Sequence, residues 1–123
     1  VDVITQEHID ILPPLGNMIV LFKTDNSKLD SRADFSYQFT YVDSYAARAL
    51  VSMGVKAVGI DYLGIERDQP DHGTHKTVLS EHIAIIEGVR LSSVEPGYYT
   101  LTCLPLSVPR AEAAPARAVL SEI

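Results

Sequence analysis

DSYAARALVSMGVKAVGID, residues 43–61, is the stretch on which the fold turns. Asp43 stands at the N-cap position, Ala46, Ala49, Leu50 and Met53 recur at helical spacing, and Gly54 supplies a left-handed stop. Directly after that stop, Val55 to Asp61 (VKAVGID) reads as the next buried strand. Upstream, Met18 to Phe22 (MIVLF) is apolar throughout. Runs of this kind are buried on both faces, which favours a sheet with layers on either side. Strand, helix and strand in that order make a βαβ unit, whose natural form is a parallel pair joined by a right-handed crossover. The class is therefore α/β.

Toward the amino terminus, Val1 to Ile4 reads as a strand end, and Thr5 caps a short helix from Gln6 to Ile11, which Pro13-Pro14-Leu15-Gly16-Asn17 ends in a turn. Lys23 to Asp34 is polar and reads as a loop. Phe35, Tyr37, Phe39 and Tyr41 alternate with polar residues, which sets four rings on one side of an extended segment as packing or an oligomer contact. Toward the carboxyl terminus, Tyr98 to Leu104 reads as a strand holding Cys103 as a core thiol, and a tail with Pro105, Pro109 and Pro115 completes the chain.

Between these lies HKTVLSEHIAIIE, residues 75–87, with a histidine at one end and a glutamate at the other. One continuous helix would hold them ~18 Å apart, too far to share an ion. Lys76 to Glu81 instead reads as a short helix with Thr74 as N-cap, Ile83 to Ile86 as a buried strand, and the chain reverses near His82. Two helical turns rise ~10 Å and five extended residues return ~16 Å, so the two ends can meet. An imidazole nitrogen and a carboxylate suit zinc, manganese or iron, but at least one or two further ligands must come from elsewhere.

Other candidates carry less. His72-Gly73-Thr74-His75 is open to three readings: helix-start ligands, a phosphate-binding turn, or a solvated loop. His82 reads as a solvent-facing turn residue. Glu87 and Asp61 each follow a buried strand, where a carboxylate needs a cation, a donor set or exposure, and Arg117 can pair with either. Neither a nucleophile elbow, a P-loop nor a dinucleotide fingerprint is present.

The 123 residues, 46% hydrophobic and 21% charged, make one domain, residues 1–123, or part of one. A net charge of −6 with interspersed signs gives a nucleic-acid backbone nothing to grip. No apolar run reaches the ~20 residues of a membrane span, and a lone cysteine without a signal-like start fits a cytoplasmic setting. Beginning at Val1 rather than Met implies removal of a segment or descent from a longer chain.

Read in order, VLFKTDNS (20–27), AARALVSMGVKAVGIDYLGIE (46–66), HKTVLSEHIAIIEGVRLSSVEPGYYTLTCLPL (75–106) and APARAVL (114–120) resemble the carboxyl-terminal portion of the cyclase family of metal-dependent hydrolases, which includes kynurenine formamidase and isatin hydrolase. The resemblance implies a swivelling β/β/α fold and hydrolysis of amide-like or cyclic carbonyl (lactone) substrates by water activated on zinc or manganese. It also implies that His75 and Glu87 are metal ligands. The family's remaining ligands lie in an upstream H-x-G-T-H-x-D-x-P-x-H signature that this chain lacks, and its HGTH at 72–75 lacks the aspartate and proline that follow in that signature. Gly64 stands where many relatives have serine, and His82 where they have a small turn residue. The resemblance therefore leaves catalytic and substrate-binding residues unassigned here. It implies weak metal binding and little or no turnover by the chain alone, full activity needing the missing amino-terminal half from a larger parent or a separate subunit, and a homo-oligomer or association with that half as its assembly. A scaffold or small-ligand-binding module on the same fold is the alternative.

Overall fold

In the computed structural model, residues 2–30 and 32–123 are described. A three-stranded parallel sheet forms the centre, in the order β2 (Ile19–Phe22), β4 (Ala57–Ile60), β5 (Ala84–Ile86). The middle strand, β4, is buried along its whole length, since both of its edges are paired and Val58 and Ile60 face the core. Strand β2 departs from the expectation of burial on both faces. As an edge strand it turns Val20 and Phe22 to the core and leaves Ile19 41% exposed.

Around this sheet pack α1 (Gln6–Asp10), α2 (Ser44–Met53) and α3 (Gly73–Ser80). Helix α2 forms as its sequence predicts: the Asp43 carboxylate accepts the Ala46 N–H at 2.8 Å, and Ala46, Ala47 and Leu50 are fully buried. Gly54 stops it at φ 75°, a conformation that any side chain would strain. Two short strands, β1 (Val3–Ile4) and β3 (Tyr41–Val42), pair in parallel beside the core, with Ile4 and Val42 buried in it.

The polar stretch 23–34 contains one short 3-10 turn, Asp25–Lys28. The aromatic segment is not one extended strand, because the chain turns at Tyr37 and Gln38. Phe39 is buried against Tyr62, ring centroids 5.1 Å apart, and Phe35 stacks on both at 5.5–5.7 Å. Tyr37 points outward, and the Arg67 guanidinium lies over the Phe39 and Tyr41 rings.

The carboxyl-terminal region holds more structure than its sequence suggests. Strand β6 (Tyr99–Pro105) pairs antiparallel with a second strand, β7 (Ala116–Glu122), over seven registered positions. Among the described residues these two strands pair only with each other, and Leu104 and Val119 stay exposed. An isolated two-stranded hairpin is marginally stable in water, so this one draws little stability from its own ladder.

Candidate metal centre

Helix α3 begins at Gly73, earlier than the sequence indicates, and Thr74 is not its cap. His72 takes the cap position in a left-handed conformation, φ 53°, and makes no side-chain capping bond. The cap comes instead from Glu66, in the loop after β4, whose carboxylate accepts the N–H groups of Thr74 at 3.2 Å and His75 at 3.0 Å. Gly73 lets the start of α3 lie close against Ser44, since a Cβ there would press on the Ser44 side chain at 3.0 Å. Thr74, fully buried, donates its hydroxyl to the Val42 carbonyl at 2.7 Å and accepts from Gln69 Nε2 at 2.8 Å. Gln69 also donates to Glu66 and accepts the Ser44 N–H at 2.9 Å. One polar network thus fastens the start of α3 to the start of α2 and the end of β3.

The chain then reverses at His82, exposed with φ 58°, and runs back along β5 to Glu87. This brings His75 Nε2 to 3.7 Å from Glu87 Oε2, with both side chains about one third exposed. Glu87 Oε2 also accepts the Ile65 N–H at 2.8 Å, and Ile65 is held by its carbonyl to the Val42 N–H. The residue after Glu87 is tied back as well, Gly88 N–H donating to the Tyr62 carbonyl at 2.6 Å. Adjacent residues of one loop, Ile65 and Glu66, therefore bond to both candidate ligands.

On its other side His75 presents Nδ1 to Glu66 Oε1 at 2.5 Å. Burial pushes the Glu66 pKa up, but the hydrogen bonds from His75, Thr74 and Gln69 outweigh it and hold the group below the ordinary carboxylate range. An ionised carboxylate only accepts, so this contact is satisfied when Nδ1 carries the proton. Nε2 of a neutral ring is left with a lone pair on the side of Glu87.

Two ligands on a tetrahedral ion at ~2.0–2.1 Å lie ~3.3–3.4 Å apart. The 3.7 Å separation of His75 Nε2 and Glu87 Oε2 needs only a small adjustment to reach this. A nitrogen and oxygen donor pair, with the imidazole backed by a carboxylate, fits a zinc or manganese ion. Among the described residues, however, no group of three or more His, Cys, Asp or Glu side chains is placed to hold a metal. The pair is at most part of a coordination sphere.

The remaining candidates lie elsewhere. Asp61 is met by a donor set: it accepts the Thr24 N–H at 2.7 Å, the Thr24 hydroxyl at 2.8 Å and the Ser27 hydroxyl at 2.5 Å. Arg117 sits on β7 opposite Leu104, and among the described residues it forms no ion pair with Asp61 or Glu87. His72 is exposed. Sequence reasoning singled out His75 and Glu87 but missed Glu66 and Gln69. The available signal was weak: an acidic residue beside buried Ile65, in a loop with Asp68 and Asp71 as equal candidates.

Comparison with known proteins follows the same lines. The cyclase family model matches residues 2–67, which includes Glu66 and stops ahead of His75 and Glu87. Cyclase-like protein 3 of Arabidopsis thaliana is 38% identical over 111 residues, 87% of this chain and 41% of its own length. The kynurenine formamidase of Bordetella avium (strain 197N) is 37% identical over 90 residues, 68% of this chain and 43% of its own. A solved structure of a potential metal-dependent hydrolase with cyclase activity superposes with a TM-score of 0.91 at 44% identity, over 97% of this chain and 58% of that one. The chain thus spans about two fifths of these curated relatives and under three fifths of the solved protein. The mixed α/β arrangement is that of the swivelling cyclase-like hydrolases. With the family model covering more than half of its residues and a solved relative superposing along nearly all of them, this chain belongs to the cyclase family.

Proposed function

We propose that this chain contributes part of the metal centre of a hydrolase acting on amide-like or cyclic carbonyl substrates, with His75 and Glu87 as ligands to one zinc or manganese ion. The observation that carries the reading is the 3.7 Å approach of His75 Nε2 to Glu87 Oε2. The names of its relatives, a kynurenine formamidase and a metal-dependent hydrolase with cyclase activity, support the reaction class. What a divalent ion contributes when bound is acidification of a water and polarisation of a carbonyl. The chain's own residues supply position: α3 and β5 deliver the two donors, Ile65 N–H fixes Glu87, and the polar network around Thr74 fixes the start of α3. With two ligands the site needs completion, and the polypeptide by which the relatives exceed this chain is its source.

The test is metal analysis and hydrolysis of N-formylkynurenine by this chain, alone and combined with the complementary amino-terminal portion of a cyclase fold. Zinc or manganese binding with turnover by the pair, both lost in His75→Ala, is expected. A pair that binds neither metal, or that is indifferent to His75→Ala, contradicts the proposal.

A further inference from the structure

The buried carboxylate of Glu66 does more than cap a helix. Its side chain is 3% exposed, and its two oxygens receive four donors. Oε1 accepts from the His75 backbone N–H at 3.0 Å and from His75 Nδ1 at 2.5 Å. Oε2 accepts from the Thr74 N–H at 3.2 Å and from Gln69 Nε2. Two of these four donors are backbone groups that cannot change role. A carboxylate accepts at both oxygens, whereas an amide accepts at one and donates at the other. Replacing Glu66 by glutamine therefore sets a donor against a donor at one oxygen or the other, whichever way the amide is turned. The position calls for the anion itself.

We infer that Glu66 is the positioning residue of the site: it fixes the Nδ1–H tautomer of His75 and aims Nε2 at the position shared with Glu87. Its consequence for metal affinity rests on the reading of His75 as a ligand, but its consequence for the tautomer does not. Among the described residues the bonds of Glu66 run to Gln69, Thr74 and His75 and not to Glu87, so it acts through His75. A ligand histidine whose second nitrogen is held by a carboxylate is oriented and made more basic, and loss of such a partner lowers metal affinity by ~10–100-fold. The same carboxylate ties that orientation to the first turn of α3, so the imidazole is set by the backbone that carries it.

The experiment reads the tautomer of His75 by long-range proton–nitrogen NMR of the full chain labelled with nitrogen-15, together with zinc affinity by calorimetry. The wild-type chain should show Nδ1 protonated and Nε2 bare. Glu66→Leu, which offers Nδ1–H no acceptor, should give the other tautomer or a mixture, with zinc affinity lower by ~10–100-fold. Val78→Ala, which opens a cavity under the same helix without removing a polar atom, separates positioning from mere support of α3. It should leave the tautomer unchanged. A wild-type His75 protonated at Nε2 overturns the inference without recourse to any variant. So does a Glu66→Leu chain that folds and keeps the wild-type tautomer. If the tautomer behaves as stated but His75→Ala leaves zinc affinity unaltered, the ligand reading fails and the orienting role of Glu66 stands.

Discussion

Replacing Thr74 by valine removes one hydroxyl from the centre of the network while keeping the side chain's shape. Thr74 is fully buried, so no water takes over its bonds, and its hydroxyl both donates to the Val42 carbonyl and accepts from Gln69. Gln69 Nε2 retains Glu66 as an acceptor, but the Val42 carbonyl loses this donor inside the core. A lost net hydrogen bond contributes ~1 kcal/mol and an acceptor stripped of its buried donor another ~1–2 kcal/mol, so Thr74→Val should destabilise the chain by ~2–3 kcal/mol. With a urea m value of about 1.5 kcal/mol/M, the unfolding midpoint falls by about 1.5 M. Thr74→Ser keeps the hydroxyl and drops only a methyl, at ~1 kcal/mol. Equilibrium urea unfolding followed by circular dichroism measures both. The reasoning is refuted if the valine variant stays within ~0.5 kcal/mol of wild type or if serine proves the more damaging of the two, because methyl packing rather than the hydroxyl would then join α3 to β3.

Three further outcomes follow from the backbone and the hairpin. Gly54→Ala should cost ~1 kcal/mol from left-handed strain alone, since nothing lies within 4 Å of the added Cβ; thermal unfolding checks it. His82→Gly should have the opposite sign, a gain of ~0.5 kcal/mol, as glycine relieves the φ of 58° and the imidazole is exposed; a loss of stability in the same assay would show that this side chain makes a contact that matters. Amides of β6 and β7 should exchange with deuterium well before those of β4, because among the described residues no further strand pairs with the hairpin; equal protection would mean that another surface packs on it.

What could be read from the sequence was what is locally determined. Helix α2, its Asp43 cap and Gly54 stop, β4 after it, and the reversal at His82 all rest on residues within a few positions of one another. Strand β7 was missed because Ala116, Arg117 and Ala118 have little intrinsic strand preference, and its extended form depends on the ladder with β6. The exposed face of β2 was missed for a related reason: an apolar run does not say whether its strand lies in the middle of a sheet or at its edge. Thr74 has the residue type of a cap, yet the cap is Glu66, eight residues earlier and outside any local pattern. The site was legible to the same degree. His75 and Glu87 stand at the ends of one short reversal, whereas only the folded loop shows which of Glu66, Asp68 and Asp71 faces the imidazole.

If His75 and Glu87 hold one metal ion, as proposed, the imidazole of His75 responds first to zinc. The most direct test is a zinc titration of the chain followed through the nitrogen resonances of its four histidines. Zinc should move His75 Nε2 ahead of every nitrogen of His8, His72 and His82, and Glu87→Gln should weaken the response. Zinc acting first at His72 or His82, or a His75 response indifferent to Glu87→Gln, would contradict it.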